Sequence, residues 1–300
     1  MKANQTTQLS LFPEMSLVER RSQVVNVASV PQRSPFRYPG GKTWLVPTAR
    51  EWFHQASPKE NVLIEPFAGG GIITLTAIAE QYFENALMVE LDDDMAAAWM
   101  TFFSDDDCHW LIDRISNFNV TAEEINNAIL DSDKGTKERG FATLVRNRTN
   151  HGGILAKGSG MIKTGEGGKG LSSRWYPSTL VKRIRDINAL RNRISFIHGD
   201  AFEIIENNLN GDNVFFFIDP PYTVAGKRLY NHYEVDHYKI FELASQIKGH
   251  FLLTYDDAEE IRSIADEFHL PYKTIPMQTT HLITKEELLI SDNFDWFSSN

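Results

Sequence analysis

A glycine-rich turn between a short apolar strand and a helix most constrains the fold of this chain. Residues 62–64 predict a buried strand, and residues 65–71 predict a turn that opens a helix at residues 72–82. A second strand follows at residues 86–89 and ends in Glu90. This order is typical of an open, mostly parallel sheet, in which ligands bind at the carboxyl ends of the strands.

The alternation of strands and helices is interrupted once. Strands resume at residues 194–198, 214–218 and 250–255, after a long stretch with helical periodicity and a glycine-rich loop. We therefore predict one α/β domain with an inserted, mainly helical module. The predicted boundaries are residues 1–33 for a flexible arm, 34–104 and 189–300 for the α/β domain, and 105–188 for the insert.

Composition excludes several classes of protein. No stretch approaches the ~18 apolar residues of a membrane helix, and residues 1–30 lack the apolar core of a signal peptide, so we expect a cytoplasmic, nucleoid-associated protein. Cys108 is the single cysteine of the sequence, which excludes an internal disulfide and a cysteine-rich metal cluster. The histidines are scattered, so no metal site is predicted.

Charge is distributed unevenly along the chain. The formal net charge is -10, yet residues 134–193 hold 14 Lys or Arg against three acids, which makes this segment +11 and the remainder -21. A concentrated basic segment is the electrostatic footprint of a polyanion-binding insert. A solvated helix face is the alternative for residues 182–185, but it does not account for the basic residues in the glycine-rich stretch before them.

Asp219-Pro220-Pro221-Tyr222 follows the apolar strand at residues 214–218. This arrangement suits chemistry on an amino group attached to an aromatic ring, because acceptors aimed at the two hydrogens of the amine make it more tetrahedral and more nucleophilic. The Asp219 carboxylate and the Pro220 carbonyl are the candidate acceptors, and Tyr222 can stack on the ring. An Asp-Pro turn that merely ends a buried strand is the alternative.

The pair formed by Gly69-Gly70-Gly71 and Glu90 suits an adenosine-containing cofactor, since the glycines admit a close approach of the ligand and the acid can bind ribose hydroxyls. Two alternatives are a turn that serves only close packing and an exposed loop acid at Glu90. Hydride transfer also remains open at this point. Residues 39–43 do not form a phosphate loop, because Phe36 stands where that motif requires glycine.

Five motifs, in this order, resemble those of the Dam-like DNA adenine methyltransferases, which transfer methyl from S-adenosylmethionine to the amino group of adenine. The motifs are residues 37–42, residues 65–71, Glu90, Asp200 and residues 219–222. The ordered set, spread over roughly residues 34–295, is far more specific than any one of its members. The resemblance implies a Rossmann-like, S-adenosylmethionine-dependent methyltransferase fold with a target-recognition domain inserted before the catalytic motif.

The resemblance also implies the roles of individual residues. Lys42 would contact the methionine moiety, Glu90, in place of the commoner Asp, would hold the ribose, and Asp200 would lie near the adenine of the cofactor. The catalytic set is Asp219, Pro220, Pro221 and Tyr222. The cofactor-binding set is Tyr38, Lys42, Glu65, Phe67, Gly69, Gly71, Glu90, Asp200, Phe202 and Asp219.

Residues 144–153 resemble the Asn-Arg-Thr segment of family members, and the predicted partner of the insert is double-stranded DNA. Residues 157–176 depart from the pattern of GATC-methylating members and leave the target sequence open. The predicted DNA contacts are Arg146, Arg148, Asn150, Lys157, Lys163, Lys169 and Arg174.

The sequence leaves three alternative functions open. The first is methylation of another amino group, in cytosine, RNA adenine or protein glutamine. The second is a non-catalytic DNA-binding regulator, and the third is a nicotinamide oxidoreductase. Asp219 at the first motif position and the motif order favour DNA adenine.

The polar arm contains a short motif of its own. Gln8, Leu9, Leu11 and Phe12 resemble the pentapeptide by which bacterial replication and repair proteins bind the sliding clamp. Apolar anchors on a disordered arm have nothing of their own to pack on, which favours a partner. The alternative is a tail that folds back onto its own domain.

Overall fold

The sheet in the described part of the chain has seven strands. The computed structural model describes residues 25–37, 41–156, 159–165, 168–221, 235–278 and 284–297. The strands are β1 (Val62–Glu65), β2 (Asn85–Glu90), β3 (Ile194–His198), β4 (Val214–Ile218), β5 (His250–Asp256), β6 (Tyr272–Gln278) and β7 (Thr284–Ser291). Their order is β3-β2-β1-β4-β5-β7-β6. Strands β1 to β5 are parallel, whereas β7 is antiparallel to both of its neighbours.

The strand order reverses between β1 and β4. In open sheets of this kind, the crevice outside the carboxyl ends of the two strands at the reversal is where ligands bind. Glu65 ends β1 and Asp219 follows β4 directly, so both predicted site acids lie at this crevice. The topology therefore selects one edge of the sheet as the place to look for a site.

Helices cover both faces of the sheet. The helices are α1 (Val46–Phe53), α2 (Ile72–Ala79), α3 (Asp93–Phe103), α4 (Asp105–Ser116), α5 (Ala122–Leu130), α6 (Thr136–Thr149), α7 (Pro177–Asn188), α8 (Ala201–Asn208), α9 (His237–Ala244) and α10 (Glu259–Glu267). Within β4, Phe215 and Phe217 pack into the core on one face, whereas Phe216 and Ile218 pack into the core on the other. A central parallel strand covered on both faces has no polar side, which is why β4 is an unbroken apolar run.

Residues 105–188 pack against α3 rather than apart from it. Phe141 in α6 lies 5.1 Å from Phe118, ring centroid to centroid, and both belong to the hydrophobic core that includes Trp99 of α3. At Gly140 the two helices approach so closely that a Cβ atom would lie 2.9 Å from the carbonyl oxygen of Ala97. The predicted insert thus shares one continuous hydrophobic core with one face of the sheet.

The predicted fold class is confirmed: the sheet is mostly parallel, Rossmann-like and flanked by helices. Sequence reasoning did not anticipate β6 and β7. Strand β6 lies at the edge of the sheet and is half-buried and partly charged, so it lacks the apolar run that marked the central strands. Within the described ranges, no helix is both long and apolar enough to cross a membrane.

Candidate active site at the carboxyl edge of the sheet

Asp219 is held from two sides where β4 ends. The ammonium of Lys42 lies 3.0 Å from Asp219 Oδ1. The hydroxyl of Thr254, on β5, donates a hydrogen bond to the same oxygen at 2.8 Å. Both partners are buried, so the carboxylate is oriented by groups that have little freedom themselves. Pro220 is buried after it, while Tyr222 lies outside the described residues.

Lys42 is a buried cation, with 4% of its surface exposed, at the start of a short 3₁₀ turn (Lys42–Leu45). Burial lowers the pKa of Lys42, but the negative charges of Asp219 and Glu287 more than offset burial, so the net effect is a raised pKa. The side chain is therefore charged at neutral pH. Its described ion pair with Asp219 attaches the first motif to the catalytic motif.

Glu65 is a second buried acid at the same edge. It accepts a hydrogen bond from the backbone N–H of Thr74 at 3.1 Å. Burial, and to a smaller extent the charges of Asp219 and Glu90, outweigh the hydrogen bonds from Thr74 and raise the pKa of Glu65 to about 8. The protonated form therefore predominates at pH 7. At this edge a neutral carboxyl at the end of β1 thus lies near Asp219, which follows β4 and is paired with Lys42.

The glycine turn is required by both conformation and packing. Gly71 has φ +62°, and a Cβ there would lie 2.5 Å from Met88 Cε and 2.9 Å from Trp99 Cζ2. The indole N–H of Trp99 donates to the carbonyl of Gly69 at 3.0 Å, which fixes the other side of the turn. Close packing is therefore one role of this glycine turn, in addition to any role in ligand binding.

Glu90 joins the end of β2 to the glycine turn. Its two carboxylate oxygens accept backbone N–H groups, from Gly69 at 2.9 Å and from Asp92 at 3.0 Å. Burial, and to a smaller extent the charge of Asp92, outweigh the backbone hydrogen bonds and raise the pKa of Glu90 to about 7. Glu90 is therefore not the exposed loop acid of the alternative interpretation. Asp92 itself caps α3 by accepting from Asp94 N and Met95 N.

An apolar wall continues this edge toward β3. Asp200 caps α8 by accepting from Phe202 N at 2.8 Å. The rings of Phe202 and Phe67 lie 6.4 Å apart, edge to face. Leu91, directly after Glu90, is 48% exposed. Sequence reasoning missed Leu91, although an apolar residue directly after an acid at a predicted strand end was a usable signal. Aromatic and aliphatic surface beside an acid fits the base and ribose of an adenosine group.

A comparison with protein families shows to which family this chain belongs. The chain matches the family described as D12 class N6 adenine-specific DNA methyltransferase over residues 38–134 and 163–277, which is more than half of its length. The chain belongs to this family. It is therefore a methyltransferase, and the family suspected from the five ordered motifs is confirmed.

Solved structures similar to this D12 class methyltransferase share little sequence with it. An rRNA methyltransferase from Streptomyces viridochromogenes is 10% identical, with 93% of this chain and 94% of that chain covered and a TM-score of 0.40. A proposed RNA methyltransferase from Pyrococcus horikoshii is 10% identical, with coverage of 88% and 93% and a TM-score of 0.40. A precorrin-6y C5,15-methyltransferase from Geobacter metallireducens is 7% identical, with coverage of 82% and 86% and a TM-score of 0.34. Comparison with curated protein sequences finds no match.

The structure of the D12 class methyltransferase separates the predicted DNA contacts into groups. Arg146 pairs with Asp94 at 2.9 Å, and Arg148 and Asn150 are buried, which argues against direct contact with DNA in this conformation. Arg174 is half-buried. Lys163 and Lys169 are exposed. Lys157 and, in the cofactor-binding set, Tyr38 lie outside the described residues.

Asn147 is a structural member of the site that sequence reasoning passed over. Its side-chain oxygen accepts from the backbone N–H of Arg37 at 2.8 Å, and its amide donates to the carbonyls of Arg37 and Gly153, both at 2.9 Å. The side chain is fully buried. It therefore fastens α6 to the segment that leads into Lys42. The sequence did not indicate this role, because the arginines on either side of Asn147 favoured a DNA-binding interpretation of the whole segment.

Proposed function

We propose that this methyltransferase is site-specific and acts on adenine in duplex DNA, with S-adenosylmethionine as the methyl donor and the exocyclic amino group of a flipped adenine as the acceptor. The observation that carries the proposal is the placement of Asp219. It lies at the strand reversal, buried partners fix one of its oxygens, and the glycine turn and Glu90 lie at the same edge. Membership of an adenine-specific family supports the choice of base.

The residues of the chain divide the work in the proposed mechanism. Glu90, the glycine turn and the Phe67–Phe202 wall would hold the cofactor, which, when bound, supplies a methyl group on a sulfonium. Asp219 and the Pro220 carbonyl would accept the two hydrogens of the target amine and direct its lone pair toward the methyl group. Such positioning is worth about 7–11 kcal/mol in favourable systems. No general base is required, because the amine becomes strongly acidic once it is methylated.

Recognition of the target would come from the insert and from Tyr222. The basic segment at residues 134–193 would bind the duplex, and Tyr222 would stack on the adenine once it has left the helix. Lys163 and Lys169 remain proposed phosphate contacts, and their exposure is compatible with that role.

The test is to identify the methylated base. Unmethylated plasmid is incubated with the protein and methyl-labelled S-adenosylmethionine and then digested to nucleosides for mass spectrometry. N6-methyladenine is the expected product. Methylcytosine, label in RNA or protein, or no incorporation at all would overturn the proposal. Modification-sensitive sequencing of the same plasmid reads the target sequence.

Asp219→Ala tests the central assignment. We expect loss of methyl transfer with cofactor affinity retained, because Asp219 acts on the amine. Asp212→Ala, an exposed acid in the turn before β4, is the matched control and should remain active. Near-wild-type turnover in Asp219→Ala would remove the assignment.

A second partner is proposed for the arm, whose residues 1–24 lie outside the described residues. Gln8, Leu9, Leu11 and Phe12 would bind a sliding clamp and place the enzyme in the nucleoid. Deletion of residues 1–15 should abolish binding to a purified clamp, measured by surface plasmon resonance. Unchanged affinity would exclude this role.

A further inference from the structure

Four arginines converge on the segment that leads into the active site. The guanidinium of Arg183, on α7, donates to the carbonyl of Ser34 at 2.9 Å, and that of Arg148, on α6, donates to the carbonyl of Pro35. Arg37 follows in the same segment and is exposed. Arg174 donates to the carbonyl of Asn150 at 3.1 Å, and Asn150 lies two residues after Arg148 in the chain. We refer to Arg37, Arg148, Arg174 and Arg183 as the arginine cluster.

Arg148 and Arg183 differ from two neighbouring arginines of the insert in how their charge is compensated. Arg139 and Arg146, also on α6, both pair with Asp94. Arg148 is buried, and no carboxylate in the described part of the chain pairs with it or with Arg183. Burial, together with the charges of Arg183, Arg37 and Arg174, lowers the pKa of Arg148 to about 9. The guanidinium groups of Arg37, Arg174 and Arg183 are therefore close enough to repel that of Arg148.

Concentrated positive charge around a buried arginine is costly to the fold unless an anion compensates it. Guanidinium groups match the geometry of phosphate oxygens and bind them with charge-assisted hydrogen bonds. Arg37 is exposed and Arg174 and Arg183 are half-buried, so these three offer accessible surface above Arg148. Arg148, Arg174 and Arg183 also belong to the strongly basic segment at residues 134–193, and Arg37 lies in the segment that leads into Lys42.

We propose that the arginine cluster is a binding site for a backbone phosphate of duplex DNA, with Arg37, Arg174 and Arg183 as direct contacts and Arg148 as the buried charge beneath them. This inference rests on the proposed function, because it assigns the phosphate to the DNA substrate. It goes further by naming Arg37 and Arg183, which the motifs did not mark as DNA contacts. It also places the phosphate next to the segment that leads into Lys42, which Asn147 joins to α6.

The experiment compares Arg183→Gln and Arg37→Gln with Lys59→Gln. Lys59 is exposed in the turn before β1, at the amino edge of the sheet and outside the basic segment, so its substitution makes the same change in net charge away from the cluster. Affinity for a fluorescent random-sequence duplex DNA is measured by anisotropy over a series of salt concentrations. Each cluster variant should lose about three- to tenfold in affinity at 0.1 M salt. The slope of log K against log salt should fall by about 0.9 in each, whereas Lys59→Gln should retain the wild-type slope.

Several outcomes would overturn the inference. Equal slopes in all three variants would show that the cluster binds no phosphate. Loss of S-adenosylmethionine affinity with DNA affinity intact would assign the cluster to the carboxylate of the cofactor. An effect on duplex RNA of the same length, without one on DNA, would assign it to RNA. Arg37→Gln keeps the backbone hydrogen bonds to Asn147, so it remains informative if Arg183→Gln is unstable. If the slopes change as expected but no N6-methyladenine forms, the proposed function fails and the phosphate site stands.

Discussion

At the scale of single residues, Thr254 is the position whose role only the structure reveals. Its hydroxyl contacts Asp219 and nothing in its sequence context marks it. A hydrogen bond to a charged group is worth about 1.5–3 kcal/mol. We therefore expect Thr254→Val to lower kcat by on the order of tenfold, with cofactor affinity unchanged, and Thr254→Ser to restore it.

The matched control for Thr254 is Thr101→Val. Thr101 is equally buried, and its hydroxyl donates to the carbonyl of Ala97 at 2.7 Å, within α3. Both valine variants lose one buried hydrogen bond, so thermal unfolding should shift by similar amounts. Steady-state methyl transfer separates them. If kcat in Thr254→Val matched that in Thr101→Val, a positioning role for Thr254 would be excluded.

Because the pKa of Glu65 is raised, the stability of the protein should fall as pH rises. Its pKa is about 8 in the folded protein against an ordinary value of 4.5, so below pH 4.5 both states are protonated and folding carries no penalty. As pH rises from 4.5 to about 8, the unfolded chain ionises while the folded protein keeps its proton, so stability is lost over this window and levels off above pH 8. Glu65→Gln should therefore gain stability over wild type between pH 5 and 8.5, by about 1.4 kcal/mol per unit of raised pKa at most.

Urea unfolding at a series of pH values measures this difference for Glu65→Gln. Glu80→Gln is the control of opposite sign. Arg50 lowers the pKa of Glu80, so Glu80→Gln should be less stable than wild type at neutral pH and approach it as pH falls. A difference between Glu65→Gln and wild type that stayed constant from pH 5 to 8.5 would contradict the predicted protonation.

At the scale of elements, α6 holds the first motif in place through the hydrogen bonds of Asn147 to the backbone of Arg37. Asn147→Asp keeps the shape but removes the amide that donates to the carbonyls of Arg37 and Gly153. Each buried carbonyl left without a donor costs about 1–3 kcal/mol. We expect lower stability together with weaker methyl transfer, because the displaced segment leads to Lys42.

Asn188→Asp separates these two effects. Asn188 on α7 is also buried and donates to the carbonyls of Phe102 and Ser104, at 2.9 and 3.1 Å, away from the sheet edge. Both variants should unfold more readily, and Asn147→Asp alone should lose activity per folded molecule. Equal losses of activity, measured at a temperature where both variants are folded, would show that α6 has only a general structural role.

At the scale of the whole molecule, the shared hydrophobic core predicts a single cooperative unfolding transition. Phe118 and Phe141 of the insert belong to the same core as Phe215 of the sheet. Hydrogen exchange with mass spectrometry in increasing urea should give peptides from α6 and from β4 the same midpoint. An earlier, separate transition for residues 105–188 would instead identify an independently folding domain.

The sequence by itself determined the class of fold, the family and the edge of the sheet at which the candidate site residues lie. These follow from local signals: an apolar run for a buried strand, glycines where φ is positive, and acids at strand ends. The five ordered motifs were enough to predict the family that the comparison then confirmed. The edge strand β6 escaped prediction, because a half-buried strand has neither a continuous apolar run nor a clean alternation.

Only the tertiary structure decided which groups pair. Lys42 and Thr254 lie far from Asp219 in the chain, and the parallel sheet brings them to one oxygen. The basic residues of the insert look alike in the sequence, yet Arg146 is neutralised by Asp94 while Arg148 is buried against Pro35. Pairing and burial depend on distances across the fold, and no local pattern encodes them. For that reason the residue types at this edge of the sheet could be predicted from the sequence, whereas their charge balance could not.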